Sequence, residues 1–337
     1  MTLTQAATLT KRGVITFIIL IILSILGAVG YNIWHQYYLS TLPPVEELPE
    51  MKFGDLPKVN FPPSNVSSSN FSYSLDTTTG KLPQIPKMIK VYFIPKAGIT
   101  LLAPEKAGKI AESLGFALGP NIISTSEYQF NDESGGQMSI DLTTGNFHFQ
   151  RKTNPAVEEA TESAKPKVLP SQEKIVENFK DYLSSRNLLA EELRNGKNKV
   201  IFDKNNNQDS NSAIVSLWPA DLDKLPILTP NVTQSLVRGT VNKSDEKNFS
   251  NINWIYWLID KTTSSTYPLK SPEQALADLQ AGQGFVSLEP TRPQVSIANV
   301  YLAYFESEEY QPYLQPIFVF EGPDFTAFVP AVAESSK

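Results

Sequence analysis

Few side chains in this sequence combine type and spacing in a way that could do chemistry. His148 lies in Asn146-Phe147-His148-Phe149-Gln150, and the other histidine, His35, sits at the end of an apolar N-terminal run. On a strand, Phe147 and Phe149 point one way and Asn146, His148 and Gln150 the other, which predicts a surface histidine. A catalytic base needs a nucleophile beside it, and no nucleophile motif accompanies His148. Asp203-Lys204-Asn205-Asn206-Asn207-Gln208-Asp209 places oxygen side chains at alternate positions, as a calcium loop does. Position 6 is Gln208 where such a loop needs Gly, and position 12 is Ile214 where it needs Glu, so this reads as a solvated turn. Gly282-Gln283-Gly284 closes a helix instead of opening one and lacks a following Lys-Ser/Thr, so it is no phosphate cradle. Glu306, Glu308 and Glu309 read as a solvated hairpin edge, with a basic partner as the sharper alternative. Asn231-Val232-Thr233 is a glycosylation triplet only in a host that reads it. No catalytic, cofactor-binding or metal-ligating residue is assigned.

Other tyrosines and phenylalanines crowd the C-terminal strands: Tyr301, Tyr304, Phe305, Tyr310, Tyr313, Phe318 and Phe320. They read as core, with exposed tyrosines able to form an interaction surface. The chain has no cysteine, which removes disulfides, thiolate nucleophiles and Cys-based metal sites. Net charge is −6 over 337 residues. Lys11 and Arg12 lie in the N-terminal leader, so the remainder holds 27 basic against 35 acidic residues, a net of −8. That balance argues against nucleic acid and anionic lipid surfaces as partners.

The elements that would position these residues begin with an uncharged apolar run, Gly13 to Trp34. About 20 apolar residues span a hydrocarbon core of roughly 30 Å. Lys11 and Arg12 precede the run and the next Lys or Arg is Lys52, which predicts a cytoplasmic tail (1–12) and an extracytoplasmic remainder. Trp34, Tyr37 and Tyr38 fall where aromatic anchors sit at the outer interface. The expectation is a single-pass, type II plasma-membrane protein with its membrane helix at 13–35. The alternative is a cleaved signal peptide, whose apolar core would be shorter, roughly 7–15 residues.

Residues 36–69 read as a proline-rich stalk, with Pro43, Pro44, Pro49, Pro57, Pro62 and Pro63. A first module is expected over 70–150, a linker over 151–170, and a second module or modules over 171–337. In the first, Phe71, Tyr73 and Leu75 alternate as a strand, Met88 to Ile94 forms another, and Pro104 opens a helix that Gly115 stops. A hairpin follows through Tyr128-Gln129-Phe130 and Met138 to Phe149. In the second, Ser171 caps a helix with Ile175, Val176, Phe179, Tyr182 and Leu183 on one face. Strands are expected at Ala213–Trp218, Gln234–Val241 and Trp254–Ile259, the last apolar on both faces and so placed centrally in a covered sheet. Ser271-Pro272-Glu273-Gln274 is a capping box with Pro in the first turn. The strands Val295–Phe305, Ile317–Phe320 and Phe325–Val329 close the chain. Helix followed by antiparallel strands, more than once, is an α+β pattern.

Leu75-Asp76-Thr77-Thr78-Thr79-Gly80, Ile140-Asp141-Leu142-Thr143-Thr144-Gly145 and, more loosely, Ile259-Asp260-Lys261-Thr262-Thr263-Ser264 share a strand-end signature. Asp bonding its own backbone two residues on explains it as turn chemistry, and duplicated modules are the sharper reading.

The C-terminal stretch Ile297-Ala298-Asn299-Val300-Tyr301-Leu302-Ala303-Tyr304, Tyr313 to Gly322 and Phe325 to Val329 resembles the closing hairpins of YycH/YycI-type membrane-anchored regulators of Gram-positive bacteria. Asp141-Leu142-Thr143-Thr144-Gly145 is similar to the turn of their PepSY-like sheets. The resemblance covers the last 65 or so residues well and the rest loosely. It implies a non-enzymatic outer domain that modulates a membrane sensor kinase; an envelope protein is the expected partner, and no cofactor is expected. The proline-rich stalk and the linker depart from that pattern. Two other readings stay open: an envelope enzyme acting on glycan or peptide through paired carboxylates, and a structural component of an envelope assembly whose edge strands dock neighbours.

Overall fold

The computed structural model describes residues 17, 20, 21, 23–38, 48–64, 66–96, 98–152, 168–203, 208–243 and 245–334. The chain divides into two compact units, Met1–Leu48 and Pro49–Lys337. In the first, residues 23–38 are helical. Leu23, Ile25, Leu26, Val29, Ile33 and Trp34 are all exposed on this helix. Rings four residues apart share one face of it: Tyr31 stacks on His35 and Trp34 on Tyr38, each pair 5.8 Å apart. Among the described residues no helix is long and apolar enough to cross a membrane. The expected membrane helix at 13–35 lies partly outside the described residues, as do most of the expected linker and Lys204 to Asn207.

In the second unit the elements run β1 (Ser72–Leu75), β2 (Met88–Phe93), α1 (Ala103–Ser113), β3 (Leu118–Ile122), β4 (Glu127–Asn131), β5 (Gln137–Asp141) and β6 (Phe147–Gln150). Next come α2 (Gln172–Ser184), α3 (Glu191–Asn195), β7 (Asn198–Phe202), β8 (Ser212–Leu217), β9 (Ile227–Leu228), β10 (Val237–Asn242) and β11 (Asp245–Trp254). The chain ends with β12 (Asp260–Pro268), α4 (Pro272–Gln280), β13 (Phe285–Leu288), β14 (Gln294–Ile297), β15 (Asn299–Phe305), β16 (Tyr313–Gly322) and β17 (Phe325–Pro330). This is an α+β fold, as the alternation of patterns predicts.

Local signals explain the helices. α1 carries Pro in its first turn and buries Ala103, Ala107 and Ala111. Gly115, at φ +85, then reverses the chain. Ser171 caps α2 by accepting from the Lys174 N–H, and Ile175, Phe179, Tyr182 and Leu183 are its buried face. Both bonds of the Ser271–Gln274 capping box form at the start of α4.

An eight-stranded sheet has the order β3-β4-β5-β6-β11-β10-β8-β7. α1 precedes the run β3 to β6, and α2 precedes β7, β8, β10 and β11, so a helix-plus-four-strand unit occurs twice. The two runs meet through antiparallel β6–β11 pairing, Phe147 opposite Trp254 and Phe149 opposite Ile252. Phe147 and Trp254 stack at 5.4 Å. Phe116, Met138 and Phe149 from one run and Phe179, Val215, Phe249 and Ile252 from the other share one core. Arg151 ties α1 to that core. Its guanidinium lies over Phe116 and Phe149 and donates to the Leu114 carbonyl at the helix C-terminus.

The second sheet runs β12-β2-β16-β15-β9, with β17 on β16 and β13 on β17. β1 pairs with β14, in parallel. The chain therefore weaves between sheets: β1, β2, β9 and β12 to β17 lie in the second set, the rest in the first. Modules bounded at 150 and 171 do not describe this arrangement, because β1 and β2 pair with strands beyond residue 260.

Two further expectations are corrected. Pro49 to Ser69 is not a free stalk but an extended strap on the second sheet. Phe53 stacks on Tyr313 at 4.8 Å, and Phe61 lies on Phe285 at 5.3 Å and edge-on to Phe305 at 4.8 Å. Ser68 is fully buried and its hydroxyl donates to the Leu279 carbonyl at 2.7 Å. Prolines lack N–H donors, so they suit a segment held by spaced aromatic anchors with few ladder bonds. Trp254–Ile259 is not a central strand. β11 ends at Trp254, and Ile255 to Ile259 cross from one sheet to the other, with Trp257 buried and Leu258 65 % exposed.

Gly239 in β10 lies where α2 presses on the sheet. A Cβ there would sit 2.7 Å from Phe179 and 3.0 Å from Phe249. Gly239→Ala is expected to lower unfolding free energy by about 1–3 kcal/mol through overpacking, read from the denaturant midpoint at unchanged m-value.

Candidate functional site

Tyr256–Ile259 of the crossover form one wall of a small open cleft. Glu192 of α3, the Pro219–Leu222 loop, Ile227 of β9 and Lys261 of β12 complete it. The Ala220 N–H donates to the Glu192 carbonyl at 2.9 Å, pinning loop to helix. The Tyr256 hydroxyl and Lys261 Nζ donate to the Glu192 carboxylate at 3.0 and 3.1 Å. Asp221 pairs with Lys197 at 3.2 Å. Leu222, Ile227 and Trp257 supply the apolar floor.

These contacts set the electrostatics. Its own N–H, Lys261 and Tyr256 hold the Glu192 carboxyl below the usual range, against the opposing effect of burial. Burial, and then the Glu192 carboxylate, push the Tyr256 phenol up, so it stays a neutral donor. A carboxylate held low is a weak proton acceptor, and efficient acid–base catalysis needs a pKa near the working pH. The arrangement suits ion pairing and hydrogen bonding to a ligand side chain over an apolar floor.

Behind the cleft wall, Trp257 donates its indole N–H to the Ser307 carbonyl at 2.7 Å and packs edge-on against Tyr310. This corrects the expectation of a solvated acidic run: Glu308 and Glu309 are exposed, but Glu306 is buried, 3 % accessible. The apolar strand β15 runs straight into it, and it bonds to Leu228 of β9 and to Trp257 of the crossover.

His148 is exposed on β6, between Ser139 and Asn253, while Phe147 and Phe149 are buried. Asn146 of the same polar set is buried and accepts from the Tyr256 N–H at 3.0 Å. Gly282, at φ +86, ends α4, and the Gly284 N–H donates to Ser68. Asn231 closes a turn by accepting from the Thr233 N–H and hydroxyl. Tyr304 is core, whereas Tyr301, Tyr310 and Tyr313 are half-buried.

Asp141 gathers Thr143 and Thr144 donors, and Asp260 gathers Thr262 and Thr263. The Thr262 hydroxyl foremost holds Asp260 near 2. Asp76 instead accepts from the Ser296 hydroxyl at 3.3 Å. The loose third copy of the signature is therefore a true copy of the turn, and the first is not. Of the three signature segments only the third reaches the cleft, through Ile259 and Lys261 on either side of Asp260. Glu192 and Lys261 stand 69 residues apart. The dense aromatic run around Trp254–Ile259 is the one signal in the sequence that points here.

No protein-family model and no curated protein matches the chain. Among solved structures, an uncharacterized protein from Eubacterium rectale ATCC 33656 is similar over 74 % of this chain and 86 % of that one, at 11 % identity and a TM-score of 0.38. A likeness that loose carries neither fold nor function.

Tyr256→Phe removes one donor to Glu192. Stability is expected to fall by about 1–2 kcal/mol, and the Glu192 carboxyl should titrate at higher pH, read by carboxyl NMR.

Proposed function

We propose that this chain is a membrane-anchored, extracytoplasmic protein without catalytic activity that binds or regulates another envelope protein, such as a sensor kinase. The observation that carries the reading is the uncharged run Gly13 to Trp34 behind Lys11 and Arg12. The exposed apolar surface of the helix at 23–38, which needs a nonaqueous surrounding, supports it. The repeated helix-plus-four-strand unit supports PepSY-like modules and, with the C-terminal hairpins, the resemblance to YycH/YycI-type regulators. The cleft is the contact surface in this reading: paired charges at its rim and an apolar floor suit a protein side chain.

A second reading has one specific observation in its favour. Glu192 and Asp221 line the same cleft, as a carboxylate enzyme would require. Each already faces a lysine, and Glu192 is held low, whereas glycoside hydrolysis needs one carboxyl kept protonated by a raised pKa. Binding is therefore preferred.

Membrane fractionation with an alkaline wash, protease added to intact cells, and in-cell cross-linking test the proposal together. The expected outcome is retention in the membrane, digestion from outside, and one dominant envelope protein cross-linked. Release into the wash, or cross-links only to glycan or to the chain itself, would overturn it. Turnover of peptidoglycan or peptide by the purified protein would favour the second reading.

A further inference from the structure

Glu306 is a buried acid at a junction. Its N–H donates to the Leu228 carbonyl at the end of β9, at 2.8 Å. Its carboxyl receives the backbone N–H of Trp257, while Oε1 has no hydrogen-bond partner. The next residue extends the junction. The Ser307 carbonyl accepts the Trp257 indole N–H, and the Ser307 hydroxyl donates to the Asn60 carbonyl of the strap at 3.3 Å. Asn60 donates in turn to Glu309 at 2.8 Å. Residues 306–309 thus hold together β9, the crossover and the strap.

The titratable group of the crossover is Tyr256, whose phenol is bonded to Glu192 and feels the charge of Glu306 more weakly. β9 and the strap bring Leu228 and Asn60, which do not titrate. From β10, Arg238 feels the charge of Glu308, on Glu306's own loop, and donates to the Ser235 carbonyl. Among the described residues no cation lies within ion-pair distance of Glu306. A glutamine could make the same neutral contacts at no risk of charge, so an ionisable group here needs an explanation.

We propose that Glu306 is a pH-sensitive latch: as the neutral acid it can stay buried where the crossover Ile255–Ile259 packs against residues 306–309, and loss of its proton leaves an unpaired charge in that junction, which loosens it and with it the cleft wall. Burial pushes the carboxyl up to about 8, and the Trp257 N–H offsets this only in part. The folded chain therefore keeps a proton that the unfolded chain releases at ordinary carboxyl pH. Stability falls as pH rises above that ordinary range, and the fall levels off once the folded form also ionises near 8. The latch is closed in mildly acidic and neutral surroundings and released in alkaline ones. It stands on the junction's geometry and does not depend on the proposed partner.

The test uses the full chain in detergent. Tryptic cleavage after Lys261, normalised to an unfolded substrate at each pH, is expected to rise at least tenfold from pH 7 to 9, and to stay flat in Glu306→Gln. Infrared titration of the unmodified chain should show a protonated carboxyl band persisting to about pH 8. Equal pH dependence in both proteins, or no protonated carboxyl at pH 7, would overturn the proposal. The infrared arm holds even if the variant fails to fold.

Discussion

The body that begins at Pro49 depends on one pairing, that of β6 with β11. Each helix-plus-four-strand run has a free edge, and an open edge exposes a row of unpaired backbone groups. Joining the two edges satisfies those groups and lets α1 and α2 pack over one continuous sheet. Phe147 against Trp254 and Phe149 against Ile252 alternate onto the core face, so a slip of β11 by one residue would turn Ile252 to solvent. The Arg151 N–H extends the pairing one step further, to Ser250.

That pairing also sets the path of the chain beyond β11. The strand is held to Trp254, and the crossover must leave the sheet there and reach β12 in the other sheet. It passes between α3 on one side and residues 306–309 on the other. The first side supplies Glu192 and makes the cleft; the second supplies Glu306 and makes the junction. The strap closes the same region, because Asn60 bonds to Ser307 and Glu309 while Phe61 enters the second sheet's aromatic cluster. Cleft and latch are therefore two faces of one short segment.

The legible parts of the sequence are those that local chemistry decides. Ser171, the Ser271–Gln274 box, Gly115 and Gly282 mark helix ends because caps act within one turn. Phe147 and Phe149 give away their strand because alternation is local. The crossover reads wrongly as a strand because an apolar run on both faces looks the same in a covered strand and in a segment wedged between two sheets. The strap reads wrongly as a stalk because proline content records backbone extension and not what the aromatic side chains touch. Glu306 reads wrongly as solvated because nothing near it in sequence reveals that Leu228 and Trp257 bond to it while Asn60 holds its neighbours Ser307 and Glu309. The cleft is invisible for the same reason, its charged residues being brought together by sheet pairing alone.

Denaturant-dependent hydrogen exchange, followed by mass spectrometry, tests the account most directly. If β6–β11 pairing makes one body, peptides from β3–β6 and from β7–β11 should open with the same free energy and the same denaturant dependence. Separate openings, with the β3–β6 peptides exchanging at distinctly lower denaturant while the others stay protected, would contradict it and return the chain to independent modules.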